Sequence, residues 1–333
     1  MSGHHVVVQP DHGIEPVVAL LRSAVASVLI KQFTFTHPVL LDEVLALHDR
    51  GVRVRVLLNG AKATGERLND PFFATLQDRG IDVAWSNPAF LVTHEKSVVV
   101  DQARALVATF NFMEKYFKET RDYGVIVTDP AIVQELATCF EKDWAREAFH
   151  PQAAHAEAGS ALGWSPGPAR HVVCAVIDGS RRTLDIQHPK FAEPVIVQRI
   201  AEAVGRGVHV RILCGGKHGL HQPDLMYSFA LWSLARGWGV RVHKQKNLRV
   251  HAKLVIADGR QAFLGSQNFD QPAFDSRREV GLVLDDVKAL QVLAGVFEQD
   301  WTHSVKYEPP YPLDAPSADE NQDFGHDPLL DHE

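Results

Sequence analysis

The most specific chemical signal in this sequence is a short pattern of histidine, lysine and aspartate. The pattern His-x-Lys-x4-Asp occurs twice, at His94, Lys96 and Asp101 and again at His251, Lys253 and Asp258. Near neutral pH an imidazole is a nucleophile when neutral and an acid when protonated. A lysine two residues further along a strand points to the same face as the histidine, so the two side chains can converge on one small anion.

Further polar residues follow each pattern at matched distances. They are a hydroxyl residue, an asparagine 17 residues after the histidine and an acidic residue 28 after it, at Thr109, Asn111 and Asp122 and at Ser266, Asn268 and Glu279. Each acidic residue is suited to holding the second ring nitrogen of a histidine, as the acid of a catalytic triad does. The set is rich in donors and lacks the spacing of a metal site, so we expect no metal and no other cofactor. Asp101 and Asp258 fall at strand ends, where a carboxylate fixes a turn.

The chain repeats itself at long range. Residues 51–60 match residues 207–216 at an offset of 156, and Phe140-Glu-Lys-Asp-Trp144 matches Phe297-Glu-Gln-Asp-Trp301 at an offset of 157. The sequence therefore predicts a first domain over residues 1–149, a linker over 150–167, a second domain over 168–305 and a tail over 306–333.

Each half alternates β-rich runs with helical spacing. In the first half we predict strands over Ser27–Phe35, Val52–Leu58, Lys96–Val100, Ala105–Phe110 and Tyr123–Val127. Helices are predicted over Pro38–Arg50 and Pro130–Glu147, and both begin at proline, where the missing N–H costs nothing. The fold class is therefore α/β, with helices on both faces of each sheet.

Charge and composition restrict the setting of the protein. The net charge of −7 belongs to the tail, which carries eight acidic residues after Lys306 and no basic one, so the rest has 34 basic and 33 acidic residues. We expect this tail to be disordered and solvated. Apolar runs are too short for a membrane span, no secretory signal is visible, and three unpaired cysteines indicate a reducing compartment. These features predict a cytoplasmic protein that can associate peripherally with a membrane.

The doubled His-x-Lys-x4-Asp motif, together with Gly265-Ser-Gln-Asn268 and the acidic residue after it, resembles the phospholipase D superfamily. The resemblance covers nearly the whole chain except the acidic tail. It implies a duplicated phospholipase D fold, with two similar α/β sandwich domains related by a pseudo-two-fold axis. It also implies one shared active site, so that a monomer is active, and metal-independent catalysis through a covalent phosphohistidine.

Carried over to this sequence, the resemblance makes His94 the nucleophile and His251 the general acid and base. Lys96 and Lys253 would bind the phosphate, with further contacts from Asn111, Asn268, Thr109 and Ser266, and Asp101, Asp122, Asp258 and Glu279 complete the predicted catalytic set. The first half departs from the family pattern. Ala108-Thr-Phe-Asn111 replaces Gly-Ser-x-Asn, and Asp122 replaces the commoner glutamate.

Three functions remain open at this stage. The favoured one is a phosphodiesterase or phosphatidyltransferase that acts on the headgroup of glycerophospholipids at a membrane surface. The second is a nuclease that cuts DNA or RNA at the same site, although the nearly neutral body does not favour nucleic acid. The third, a catalytically idle scaffold, is disfavoured by the intact motifs. The apolar segment 224–238 is interpreted either as a buried helix or as a membrane-contact element.

Overall fold

Two mixed β-sheets with the same strand order form the frame of the molecule. The computed structural model describes residues 4–62, 64–151, 162–215, 225–309 and 311–312. The first sheet has the order β1-β7-β6-β5-β2-β3-β4, and the second has β8-β15-β14-β13-β9-β10-β11 followed by β16. The duplication seen in the sequence is therefore a duplication of topology, and the fold class is confirmed.

The first repeat supplies strands and helices in alternation. Its strands are β1 (His5–Gln9), β2 (Ser27–Gln32), β3 (Arg53–Leu58), β4 (Asp82–Trp85), β5 (Ser97–Val100), β6 (Arg104–Ala108) and β7 (Thr120–Val127). Its helices are α1 (Glu15–Arg22), α2 (Pro38–Asp49), α3 (Asp70–Asp78) and α4 (Pro130–Trp144), with a short 3-10 turn at Glu114–Phe117. The first turn of α4 is capped by Asp129, whose carboxylate accepts from the backbone N–H groups of Ala131 and Ile132.

The second repeat follows the same plan with additions at its edges. Its strands are β8 (Leu162–Ser165), β9 (Thr183–Gln187), β10 (His209–Cys214), β11 (Arg241–Lys244), β12 (Arg249–Val250), β13 (Leu254–Ala257), β14 (Gln261–Gly265), β15 (Glu279–Leu284) and β16 (Val305–Lys306). Its helices are α5 (Ala169–Gly179), α6 (Pro194–Gly205), α7 (Leu225–Trp232), α8 (Gln271–Asp275) and α9 (Val287–Thr302), and a π-helical turn, Ser233–Gly237, continues α7.

The two sheets share a central apolar layer. One core cluster joins side chains from the inner faces of both sheets with α4 and α9, for example Phe140 and Phe297. Two further clusters pack α1 and α2 on the outer face of the first sheet and α5 and α6 on the outer face of the second. In addition, β12 of the second repeat pairs with β7 of the first. The halves are therefore joined by a continuous core and by backbone hydrogen bonds.

The predicted strands and helices of the first repeat are present, with ends that differ by a few residues. Part of the predicted linker 150–167 is a strand of the second domain. Its last part forms β8, which pairs with β15 at the edge of the second sheet. Residues 152–161 of that linker, and residues 310 and 313–333 of the predicted disordered tail, lie outside the described residues. None of the helices in the described part of the chain has the length and apolar character needed to cross a membrane.

Candidate active site

The two motif histidines are each held by the acidic residue of the other repeat. His94 Nδ1 lies 2.8 Å from Glu279 Oε2, and His251 Nδ1 lies 2.7 Å from Asp122 Oδ1. Three of these side chains are fully buried, and His251 is 7% exposed. The two contacts are reciprocal, as a two-fold relation between the repeats requires. Each repeat thus supplies one histidine and the carboxylate that orients the histidine of its neighbour.

Backbone geometry brings these pairs together. His94 precedes β5, and its N–H donates to the carbonyl of Arg278, the residue before Glu279. In the same way the N–H of His251 donates to the carbonyl of Arg121, the residue before Asp122. Because each acidic residue is the next one along its chain, the backbone bond that holds a histidine in place also places the carboxylate beside its ring.

The lysines lie beside their histidines, as the two-residue spacing predicts. Lys96 Nζ donates to the backbone oxygen of His94 at 2.8 Å, and Lys253 Nζ lies 2.8 Å from His251 Nε2. A protonated lysine has no acceptor, so His251 Nε2 accepts this bond and the ring proton sits on Nδ1, facing Asp122. Both lysine side chains are almost fully buried. Two ammonium groups in a buried site can stabilise the charge that develops on a phosphodiester.

The hydroxyl and amide residues of the motifs divide into two groups. Asn111 and Asn268 are buried beside the motif strands, and Asn268 Oδ1 has no hydrogen-bond partner among the described residues. The hydroxyls are already engaged: Thr109 Oγ1 donates to Asp122 Oδ1 at 2.5 Å, and Ser266 Oγ donates to the Val280 backbone oxygen. Thr109 and Asp122 both depart from the family pattern, and they are hydrogen-bonded to each other.

A family model matches both repeats of the chain. The family described as "Cardiolipin synthase, PLD-like domain" matches residues 17–144 and again residues 173–301. The two matches together cover more than half of the chain. The chain belongs to the phospholipase D superfamily.

Individual relatives within the superfamily are distant. Cardiolipin synthase 1 of Bacillus cereus is 23% identical over 295 residues, which are 77% of this chain and 57% of that protein. This chain thus spans little more than half the length of that relative. Phosphatidylserine synthase of Haemophilus influenzae matches in structure with a TM-score of 0.70 at 14% identity, covering 95% of this chain and 90% of that chain. Polyphosphate kinase of Porphyromonas gingivalis matches with a TM-score of 0.69 at 16% identity, covering 96% of this chain and 52% of that chain. These two likenesses show the shared fold.

The two motif aspartates of this superfamily member lie apart from the histidines. Asp101 accepts hydrogen bonds from the backbone N–H groups of Val25, Ala26 and Ser27, and Asp258 does the same for residues 181–183. Both aspartates follow the far ends of β5 and β13 and have positive φ angles, 50° and 54°. All these bonds fix turns at the opposite end of the strand from the lysines, which supports the turn-fixing role that the sequence suggests for both aspartates, while their place in the catalytic set stays a prediction.

Replacing both aspartates is expected to weaken folding rather than chemistry. Partial burial acts to raise the pKa of each carboxyl, but the three backbone N–H donors outweigh it and hold the pKa of Asp101 and Asp258 below the usual value. Their stabilisation is thus present above the unfolded-state pKa of about 3.9 and disappears as the pH falls through the folded-state value. Urea titrations of D101A/D258A should show a loss of about 2 kcal/mol or more in unfolding free energy at pH 7, and a smaller loss at acidic pH. A difference that is independent of pH would contradict this role.

Aromatic and imidazole groups near the motifs were not singled out by the sequence. The Phe33 ring lies edge-on to His94 at 4.8 Å, and the Tyr116 ring lies 4.7 Å from that of His251. His188 is fully buried and stacks on Phe269 at 3.8 Å. Burial, and next to it the charge of Lys253, lower the pKa of His188 well below its usual value. His188 belongs to no motif in the sequence, so nothing in the sequence distinguished it from an ordinary core or surface histidine.

A possible metal cluster in the described residues is already filled by a cation of the chain. Glu95, Cys139 and Asp143 bring ligand atoms within 4.8 Å of one another. The ammonium of Lys31 lies among them, 2.9 Å from Glu95 and 2.7 Å from Asp143. Burial acts to lower the pKa of Lys31, but the neighbouring negative charges outweigh it and raise the pKa above its usual value. Lys31 therefore stays charged and takes the position that a metal ion would need.

Proposed function

We propose that this protein is a metal-independent phosphodiesterase or phosphatidyltransferase that cleaves or exchanges the headgroup of glycerophospholipids. The reaction proceeds through a covalent phosphohistidine on His94, with His251 as general acid and base. The observation that carries the proposal is the reciprocal pair of buried histidine–carboxylate contacts, with a lysine beside each histidine. Since one chain supplies both pairs, a monomer holds the complete site.

The first half-reaction forms a bond between His94 Nε2 and phosphorus. The bond from phosphorus to the departing oxygen breaks, and protonated His251 gives its Nε2 proton to that oxygen. Glu279 stabilises the positive charge that His94 acquires, and Lys96 and Lys253 stabilise the charge on the non-bridging oxygens. His251 is left neutral, and its Nε2 can then accept a hydrogen bond from Lys253.

The second half-reaction restores the enzyme. Neutral His251 takes a proton from water or from an alcohol, whose oxygen then attacks phosphorus. The bond from phosphorus to His94 Nε2 breaks, and His94 returns to its neutral form with its Nδ1 proton facing Glu279. Hydrolysis and transfer differ only in the acceptor that reaches the phosphohistidine.

A lipid substrate is supported by two observations. The chain is similar in sequence to a cardiolipin synthase and in fold to a phosphatidylserine synthase. In addition, α7 buries Tyr227 and Leu231 against its domain but exposes Met226 and Phe229, which are 55% and 52% accessible. Phe229 contacts Trp232, which in turn contacts the exposed Tyr311. Exposed, contiguous apolar side chains suit contact with a membrane surface.

Mixed phospholipid vesicles with EDTA and a short primary alcohol test the proposal directly. Mass spectrometry is expected to find phosphatidic acid, phosphatidyl alcohol or both with the wild-type protein and neither with His94→Ala. The ratio of the two products separates hydrolase from transferase behaviour. If no lipid product forms while labelled DNA or RNA is cut in the same EDTA buffer, the lipid assignment is wrong and the nuclease is correct.

The exposed face of α7 should govern membrane binding without taking part in chemistry. We expect M226S/F229S to bind anionic phospholipid vesicles about 10- to 100-fold more weakly in sedimentation assays, because the two half-exposed side chains together contribute about 2 kcal/mol when they enter the membrane. Activity on a monomeric short-chain phospholipid should remain. V25S/V287S removes two apolar side chains that are 83% and 66% exposed elsewhere and serves as the matched control. Equal vesicle binding by both variants would exclude α7 as the contact.

A further inference from the structure

A chain of buried ion pairs leads away from His94 into the first repeat. Glu95, the next residue, places Oε2 2.9 Å from Lys31 Nζ on β2, and its Oε1 accepts from the Ser97 hydroxyl at 2.6 Å. The same Lys31 Nζ lies 2.7 Å from Asp143 Oδ2 on α4. Strand β2, helix α4 and the residue after His94 are thereby joined through a single ammonium group.

The same chain returns to His94 through the second repeat. Asp143 Oδ1 accepts from Arg278 Nη2 at 3.1 Å, and Arg278 is followed by Glu279, whose carboxylate holds the His94 ring. The carbonyl of Arg278 also accepts from the N–H groups of His94 and Glu95, at 2.9 and 3.0 Å. The contacts form a closed circuit, which runs through His94, Glu95, Lys31, Asp143, Arg278 and Glu279.

All members of this circuit are buried, and none of the charged side chains is more than 2% exposed. Buried ion pairs contribute little net stability, because desolvation offsets most of the attraction, whereas removing one partner leaves a costly unpaired charge. Apolar residues of similar volume would serve the core at least as well. The charges therefore call for an explanation other than stability.

The second repeat provides an internal comparison, because it carries the same circuit in incomplete form. Arg121 Nε donates to Asp300 at 2.8 Å, and Asp122 follows Arg121 and holds His251. At the position of Lys31, however, the second repeat has Gln187, which donates to Asp300 at 2.8 Å. At the position of Glu95 it has Ala252, which has no polar side chain. The repeat folds with this open arrangement, so the Lys31–Glu95 pair is not a requirement of the fold.

We propose that Lys31, Glu95, Asp143 and Arg278 are positioning residues for His94, and that the Lys31–Glu95 pair, present in one repeat only, holds this histidine for attack on phosphorus. The inference rests on the proposed function, in which His94 is the nucleophile. A nucleophile must meet phosphorus in line with the departing oxygen, and a displacement of about 1 Å can cost 100-fold in rate. The acid and base His251 serves two different oxygens in turn and is fixed at fewer points.

The second repeat also dictates the test, which is the double variant K31Q/E95A. This variant places glutamine and alanine in the first repeat, where the second repeat has Gln187 and Ala252. Because both charges are removed together, no unpaired charge is left behind. The substrate is a p-nitrophenyl phosphatidyl ester, and rapid-quench experiments measure the rate at which the phosphohistidine forms. We expect this rate to fall by about 10- to 100-fold. The dissociation constant of the substrate and the rate of breakdown of the phosphohistidine, which depends on His251, should change by less than about twofold.

The matched control is R55Q/E141Q. It removes a solvent-accessible ion pair between β3 and the same helix α4, and its kinetics should equal those of the wild type. Wild-type rates in K31Q/E95A would overturn the positioning role. Formation and breakdown slowed equally, with a lowered melting temperature, would also overturn it, because that pattern belongs to a general loss of structure.

A second measurement does not depend on turnover. Imidazole N–H protons that face carboxylates give separate downfield proton resonances, which H94A and H251A assign. In K31Q/E95A the resonance of His94 should broaden or exchange faster with water, while that of His251 remains unchanged. An unchanged His94 resonance would contradict the inference even if the wild-type protein cleaved no phosphodiester, whereas inactivity of the wild type alone would contradict only the proposed function.

Discussion

His94→Ala should reduce turnover of phospholipid by roughly 10⁴-fold or more, and His251→Ala should do the same, because members of a catalytic unit fail together. The two variants should differ when the departing group is p-nitrophenol. Nitrophenolate leaves without a proton, so the first half-reaction no longer needs His251. We expect H251A to release about one nitrophenolate per enzyme in a burst and then stop, and H94A to release none.

The stalled H251A protein gives a direct measure of the intermediate. Its mass should rise by one phosphatidyl group, and that group should be lost in acid, where phosphoramidate bonds break. A burst from H94A but not from H251A would reverse the two roles. Bursts from both variants would show that neither histidine is the required nucleophile.

The acidic residues should each reproduce the defect of the histidine in the opposite repeat. Glu279→Gln should slow nucleophilic attack through His94, by about 10⁴-fold, as expected when a triad acid is replaced by its amide and the tautomer changes. Asp122→Asn should impair protonation by His251, so its defect should be large with an alkyl headgroup and much smaller with p-nitrophenol. The measurement is the rate of the first turnover on these two esters for both variants, because later turnovers need His251 for the second half-reaction.

Glu141→Gln is the control for these acid variants, because Glu141 is a half-exposed carboxylate that forms an ion pair with Arg55. This variant should cleave both esters at the wild-type rate. If Asp122→Asn instead abolished the burst and Glu279→Gln preserved it, each acid would act on the histidine of its own repeat, and the crossed arrangement would not describe the working enzyme.

The sequence predicted the duplicated fold and the residue types of the site, but not how they are paired. Motif spacing carries over from one repeat to the other, so His94, Lys96 and their counterparts could be named directly. The contact partners are 185 residues apart for His94 and Glu279 and 129 apart for His251 and Asp122. Spacing along the chain contains no information about which of the two acids faces which histidine. That choice depends on how the two sheets pack.

Other features escaped prediction for local reasons. Lys31 lies in a strand whose other residues are mostly apolar, and its partners Glu95 and Asp143 are 64 and 112 residues away, so its burial has no signal in the neighbouring sequence. Strand β8 lies next to an Ala-, Gly- and Pro-rich stretch and was absorbed into the predicted linker. The short β12 acquires its strand character only by pairing with β7 of the other repeat.

The aromatic neighbours of the two histidines break the two-fold equivalence of the site. Phe33 flanks His94, and the corresponding position in the second repeat is Pro189, while Tyr116 flanks His251 and corresponds to Ala273. An unsymmetrical diester can bind in two opposite orientations, and its two ester groups therefore have different aromatic neighbours in each orientation. If the proposed function is correct, we expect this divergence of the two repeats to decide which ester bond of the substrate is broken.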